Sequence, residues 1–187
     1  EMCIRDRITL EVHDAGRVNE DLQMTEVMTR PISGGPEWIE VYNNNAFATS
    51  LYGWSINTSS GSTSNEVLLQ GGVIQGHSVA LFTGSLASQE QGNASQMFDL
   101  GQYGLLGTGS MNLLDDGSGV IELRFTRPGK VNPIPNSKAE WGPQAGLPVG
   151  LNQVIVWDGT NTMSSTAWSV QTGPTPGDVF FEPSNAS

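Results

Sequence analysis

Short apolar runs alternate with clusters of Gly, Ser, Asn and Pro along this chain, and no stretch of about ten residues carries a helical period. That rhythm predicts strands joined by turns, so the chain reads as an all-β protein: a sandwich of about eight to ten strands with long irregular loops. Glu37-Trp-Ile-Glu-Val-Tyr42, rich in β-branched and aromatic residues, is the strongest strand signal. Gln153 to Trp157 is almost wholly apolar and suits a buried central strand. Asp116-Gly117 supplies a turn between Met111–Leu114 and Val120–Thr126, where Ile121, Leu123 and Phe125 share one face. Two stretches read as irregular: a long loop from Ser85 to Gly109, and an excursion with five prolines from Arg127 to Gly150. Thr58 to Ser64 reads as a Ser/Gly/Thr-rich loop.

A length of 187 residues suits one domain with one sizeable core. We expect an N-terminal segment over 1–23 and the sandwich over 24–187. Within the first, Glu1–Arg7 resembles a translated sequencing-adapter remnant, and Ile8, Leu10 and Val12 alternate with polar residues as an extra or donated strand. Only 14% of residues are charged, and 8 Lys+Arg against 19 Asp+Glu leave a net charge of −11. Nucleic acid is therefore not the expected partner, because duplex affinity comes from clustered cations on phosphates. No apolar run approaches the roughly 20 residues of a membrane-spanning helix. Cys3 is the sole cysteine, which excludes an intramolecular disulfide and zinc sites built on several cysteines.

Catalytic constellations are sparse. His13 and His77 lie in separate segments and no Gly-x-Ser-x-Gly elbow occurs, so neither an imidazole-rich metal site nor a hydrolase triad is expected. On the Glu37–Tyr42 strand, alternation puts Glu40 with Trp38 and Tyr42, and Glu37 with Ile39 and Val41 on the other face. These two carboxylates cannot oppose each other across a substrate. Glu26, on the preceding strand, lies near one of them, and its expected role is to accept hydrogen bonds from loop amides. No cofactor is expected, with calcium the one metal the residues allow, through Asp115 and Asp116 in one loop or Asp158 in another. Trp141 is the expected exposed aromatic anchor for a glycan, its alternative being a plug over the sandwich end, whereas Trp38, Trp54, Trp157 and Trp168 sit where strands feed a core. Sequons at Asn57, Asn93 and Asn185 mark expected glycosylation sites in loops or the tail.

Met24-Thr-Glu-Val-Met-Thr-Arg-Pro31, Glu37-Trp-Ile-Glu-Val-Tyr-Asn43 and Leu51-Tyr-Gly-Trp-Ser-Ile56, in that order, resemble the lamin tail domain family. Leu114–Leu123 looks like the family's hairpin, and Trp168 followed by Thr175-Pro-Gly177 like its closing strand and turn. The resemblance covers about Met24 to Gly177; the residues before it and Arg127 to Gly150 depart from it. It implies an immunoglobulin-like β-sandwich, found also in many bacterial secreted proteins, used for attachment rather than catalysis. The expected function is thus a non-enzymatic, extracellular or cell-surface structural or adhesive module. Its partner is a protein or further copies of itself through β-strand addition at Ile8–Val12. The alternative is a carbohydrate or cell-wall ligand module accompanying a secreted enzyme.

Overall fold

The computed structural model describes residues 22–32, 35–69, 71–86, 91–100, 117–160 and 163–178. Twelve strands run through them: β1 (Leu22–Met28), β2 (Trp38–Asn43), β3 (Thr49–Ser50), β4 (Trp54–Ser60), β5 (Thr63–Leu68), β6 (Val73–Ile74), β7 (Val79–Thr83), β8 (Gln96–Asp99), β9 (Gly119–Phe125), β10 (Ile134–Trp141), β11 (Gln153–Trp157) and β12 (Trp168–Thr172). Six form one sheet in the order β12-β11-β1-β2-β7-β8, four form another in the order β10-β9-β4-β5, and β3 with β6 makes a small ribbon. The protein is an all-β sandwich, as its strand rhythm predicts.

Period-2 alternation builds two apolar layers from the same strands. Met24, Val27, Ile39, Val41, Ala80, Phe82, Ile155 and Trp157 pack with Trp54, Ile56, Ile121, Leu123 and Trp141 in the main core. Met28, Trp38, Tyr42, Val79, Leu81, Val154 and Val156 point the other way and form a second cluster with Ala94. The six-stranded sheet is therefore buried on both faces, which explains its near-continuous apolar sequences.

Two bulges let β1 change partners along one edge. Its register with β2 shifts between Met24 and Glu26, and the register of β10 with β9 shifts between Pro135 and Ser137. Beyond the first bulge, Glu26 and Val27 pair with β11. Before it, Asn136 donates to the Leu22 carbonyl at 2.6 Å and the Met24 amide donates to Ser137 Oγ at 3.3 Å. Asn136, which the β10 bulge leaves out of register, and Ser137 beside it thus satisfy β1 backbone groups outside the β1–β11 pairing.

Three expectations are corrected. The Arg127–Gly150 excursion contains β10, eight residues long; it carries Pro135 because it is the terminal strand of its sheet and the proline sits at a bulge. The expected loop Thr58–Ser64 is the tip of a β4–β5 hairpin whose register runs unbroken to Ser60 and Thr63; serine and threonine there are strand-surface residues, not loop residues. The expected long loop after Ser85 contains β8, which lies parallel to β7. The expected first arm of the Asp116-Gly117 hairpin, Met111–Leu114, and Val179–Phe181, whose pattern reads as a last strand, lie outside the described residues.

Candidate functional site

Because both strands alternate, Glu26 on β1 and Glu40 on β2 arrive on the same face, directly opposite each other. Val156 on β11 pairs with Glu26, and Leu81 on β7 pairs with Glu40, so the two acids stand in a row with apolar neighbours. They are 1% and 0% exposed. What seals them is the turn after β12. The Thr175 amide donates to Glu26 Oε1 at 3.2 Å and the Thr175 hydroxyl to Oε2 at 3.3 Å. The Gly177 amide donates to Glu40 Oε2 at 2.6 Å, and the Thr25 hydroxyl to Oε1 at 2.5 Å. Every carboxylate oxygen of the pair thus accepts a hydrogen bond.

A second turn locks the first. The Asn93 amide donates to the Pro176 carbonyl at 2.9 Å and its side chain to Asp178 Oδ1 at 2.7 Å. Gly177 has φ +89, and a Cβ there would lie 2.1 Å from the Ala94 nitrogen. Only glycine permits this approach.

Burial pushes the Glu26 carboxyl up from 4.5 to about 7, reinforced by the charge of Glu40 and, more weakly, of Asp178, against the opposing hydrogen bonds from Thr175. Burial likewise pushes Glu40 up to about 7, with Thr25 and Gly177 opposing and Asp178 adding. A carboxyl pair held in this way takes up and releases protons near neutrality. Glu37 is also fully buried, just before β2, where its carbonyl accepts from the Gly84 amide at 2.9 Å.

A second candidate surface is an open edge. Among the described residues β5 ends the four-stranded sheet and pairs only with β4, and it is exposed at five of its six residues. The Leu69 amide bonds the Trp54 carbonyl at 2.8 Å, one step beyond the Ser55–Leu68 pair. Antiparallel ladders alternate bonded and non-bonded pairs, so Thr63, Asn65 and Val67 bond inward while Ser64, Glu66 and Leu68 aim their backbone N–H and C=O groups outward. The strand has no proline, lysine or bulge, the usual devices that block such an edge. Its one charge, Glu66, accepts from Ser55 Oγ at 2.7 Å and lies 3.7 Å from Arg124.

The expected site residues fare differently. Trp141 is buried at 2% within the main core, not exposed. It closes β10 opposite Gly119, whose missing side chain makes room: a Cβ there would lie 2.5 Å from the indole. Asn57 is in the middle of β4, buried at 6%, with Nδ2 donating to Ser64 Oγ and the Asn65 carbonyl. It is not available as a glycan acceptor. Asn93 is exposed but committed to Asp178. Asp158 is exposed and accepts from the amide and hydroxyl of Thr160, a local turn. Asp115, Asp116, Ile8, Leu10, Val12 and Asn185 lie outside the described residues. Among the described residues no group of three His, Cys, Asp or Glu is placed to hold a metal ion, and no helix is long and apolar enough to cross a membrane.

Sequence reasoning missed the β5 edge and the exposed aromatics Phe47 and Tyr52, 56% and 78% exposed. The absence of proline and lysine after Ser60 was a usable signal for the first. Nothing in the local pattern separates Tyr52 from the buried Trp54 two residues later. No protein-family model matches this chain, and no curated protein matches it.

Proposed function

We propose that this protein is a non-enzymatic extracellular structural or adhesive module, of the lamin tail, immunoglobulin-like type, that assembles by β-strand addition. The observation that carries this reading is the β5 edge, where Ser64, Glu66 and Leu68 direct outward backbone groups that no described strand pairs. The donor is the alternating segment Ile8–Val12 of a neighbouring copy, whose Ile-Thr-Leu-Glu-Val pattern suits an added strand. The commitment of Glu26 and Glu40 to the closing turn supports a scaffold role for the two acids best placed for chemistry.

Light scattering of the full chain, a chain starting at Leu22, and Leu68→Pro tests it. The full chain is expected to form oligomers; the other two, monomers. The proline removes an outward N–H and leaves the β4 ladder intact, so folded Leu68→Pro protein that still assembles refutes the β5 edge as acceptor.

A second reading, capture of a carbohydrate, is supported by Phe47 and Tyr52, which flank the β3–β6 ribbon with Val73 exposed opposite Ser50. Aromatic faces of this kind stack on sugar rings. Trp141 has no part in it. A glycan screen comparing the protein with Tyr52→Ala decides this reading.

A further inference from the structure

Glu26 and Glu40 are cross-strand neighbours on the buried outer face of the six-stranded sheet, and the segment Gly173–Asp178 is what covers them. The groups facing the pair come from every element packed there. They are Thr25 from β1, Leu81 from β7, Val156 from β11, Thr175, Gly177 and the carboxylate Asp178 from the covering turn, and Asn93 and Ala94 behind that turn. His77, in the turn before β7, lies 3.3 Å from the hydroxyl of Tyr42, which stands two residues beyond Glu40 on β2. None of the described donors onto the pair is a cation: two are amides and two are hydroxyls. Like charges placed opposite each other on one sheet face repel, and a buried carboxylate without a cation is costly.

We propose that Glu26, Glu40 and the Thr175–Asp178 turn form a proton-operated latch: the turn docks on the pair when it holds a proton, and lifts off when both carboxyls ionise. The first charge suits the site, since Thr175, Gly177 and Thr25 all donate to carboxylate oxygens. The second adds repulsion among Glu26, Glu40 and Asp178 that docked donors do not offset, and lifting the turn brings in water. Residues 91–94, which clasp the same turn through Asn93, loosen with it. A rise in pH thus frees the Thr175–Asp178 turn from the sheet face. The carboxyl pKa values near 7 put the transition close to neutrality.

The test is amide exchange and 15N chemical shift on the full chain, read at Thr175 and Gly177, the two amides that donate directly to the pair. After correction for intrinsic base catalysis, their protection is expected to fall roughly tenfold or more between about pH 5.5 and 8, with Val41 and Ile155 of the main core remaining far better protected. Glu40→Gln, which keeps the shape and removes one charge, is expected to flatten that fall. The latch is refuted if Thr175 and Gly177 keep constant protection across the range, or if they exchange only in step with Val41 and Ile155. It is equally refuted if folded Glu40→Gln repeats the fall of the parent. Should the variant not fold, the titration of the parent chain still decides between these outcomes.

Discussion

Glu26 and Glu40 occupy opposed positions on neighbouring antiparallel strands, 1% and 0% exposed, and are bridged through one short turn whose Thr175 binds the first and Gly177 the second. Two acids in the middle of a sheet thus serve as the anchor for a turn 149 and 137 residues away in sequence. Such a contact is a long-range restraint of the kind a loop amide and a buried carboxylate make strongly.

Stability is expected to decrease as pH rises through neutrality. Both carboxyls are raised from 4.5 to about 7, so between those values the folded protein binds more protons than the unfolded chain. The stability they contribute is complete below about 4.5 and lost above about 7. Urea midpoints should therefore be lower at about pH 8 than at about pH 5, and Glu26→Gln should reduce the difference.

Gly177→Ala should disrupt the closing turn more than a typical surface change. The residue has φ +89 and lacks space for a methyl group. A loss of about 2 kcal/mol or more in denaturant unfolding is expected, against about 1 kcal/mol for Gly173→Ala, where the positive φ also strains alanine but nothing stands within 4 Å; that control isolates the steric part.

Asn43→Ala should cost about 2–4 kcal/mol, since this buried side chain donates to the carbonyls of Phe47, Ile74 and Gln75 and accepts from the Asn45 amide and the Thr49 hydroxyl. Asn43→Asp, which cannot donate while ionised, should be no better. Thermal unfolding of both variants checks the ranking.

Trp141→Ala should lower stability by about 3–5 kcal/mol, the cost of a large core truncation. Equal stability of the variant and the parent would contradict the packing against Gly119 and the main core.

Much of the fold is legible in the pattern of residues. Glu37–Tyr42, Val120–Thr126 and Gln153–Trp157 match β2, β9 and β11 closely, because alternation and β-branched content act locally. Four tryptophans expected in cores, Trp38, Trp54, Trp157 and Trp168, are all buried. β10 was illegible because its proline and polar residues are tolerated only at the edge of a sheet beside a bulge, and an edge position is a property of the whole sheet. Trp141 was misplaced for the same reason.

Of the candidate site, the pattern placed Glu26 near Glu37 or Glu40 and assigned it loop amides as partners. Its acceptor role is what the Thr175 bonds display. Which glutamate it faces depends on the β1 bulge between Met24 and Glu26, which shifts every later residue by one relative to β2 and so selects Glu40.

Local pattern and composition set strands instead of helices, the alternation that makes two apolar layers, and an acidic chain with a single cysteine. Tertiary structure alone decided which strand ends a sheet, which asparagine is buried, and that a turn near the C-terminus closes over two facing carboxylates. Those outcomes follow from register and from contacts across more than a hundred residues, where each energy depends on a neighbour that local pattern does not specify.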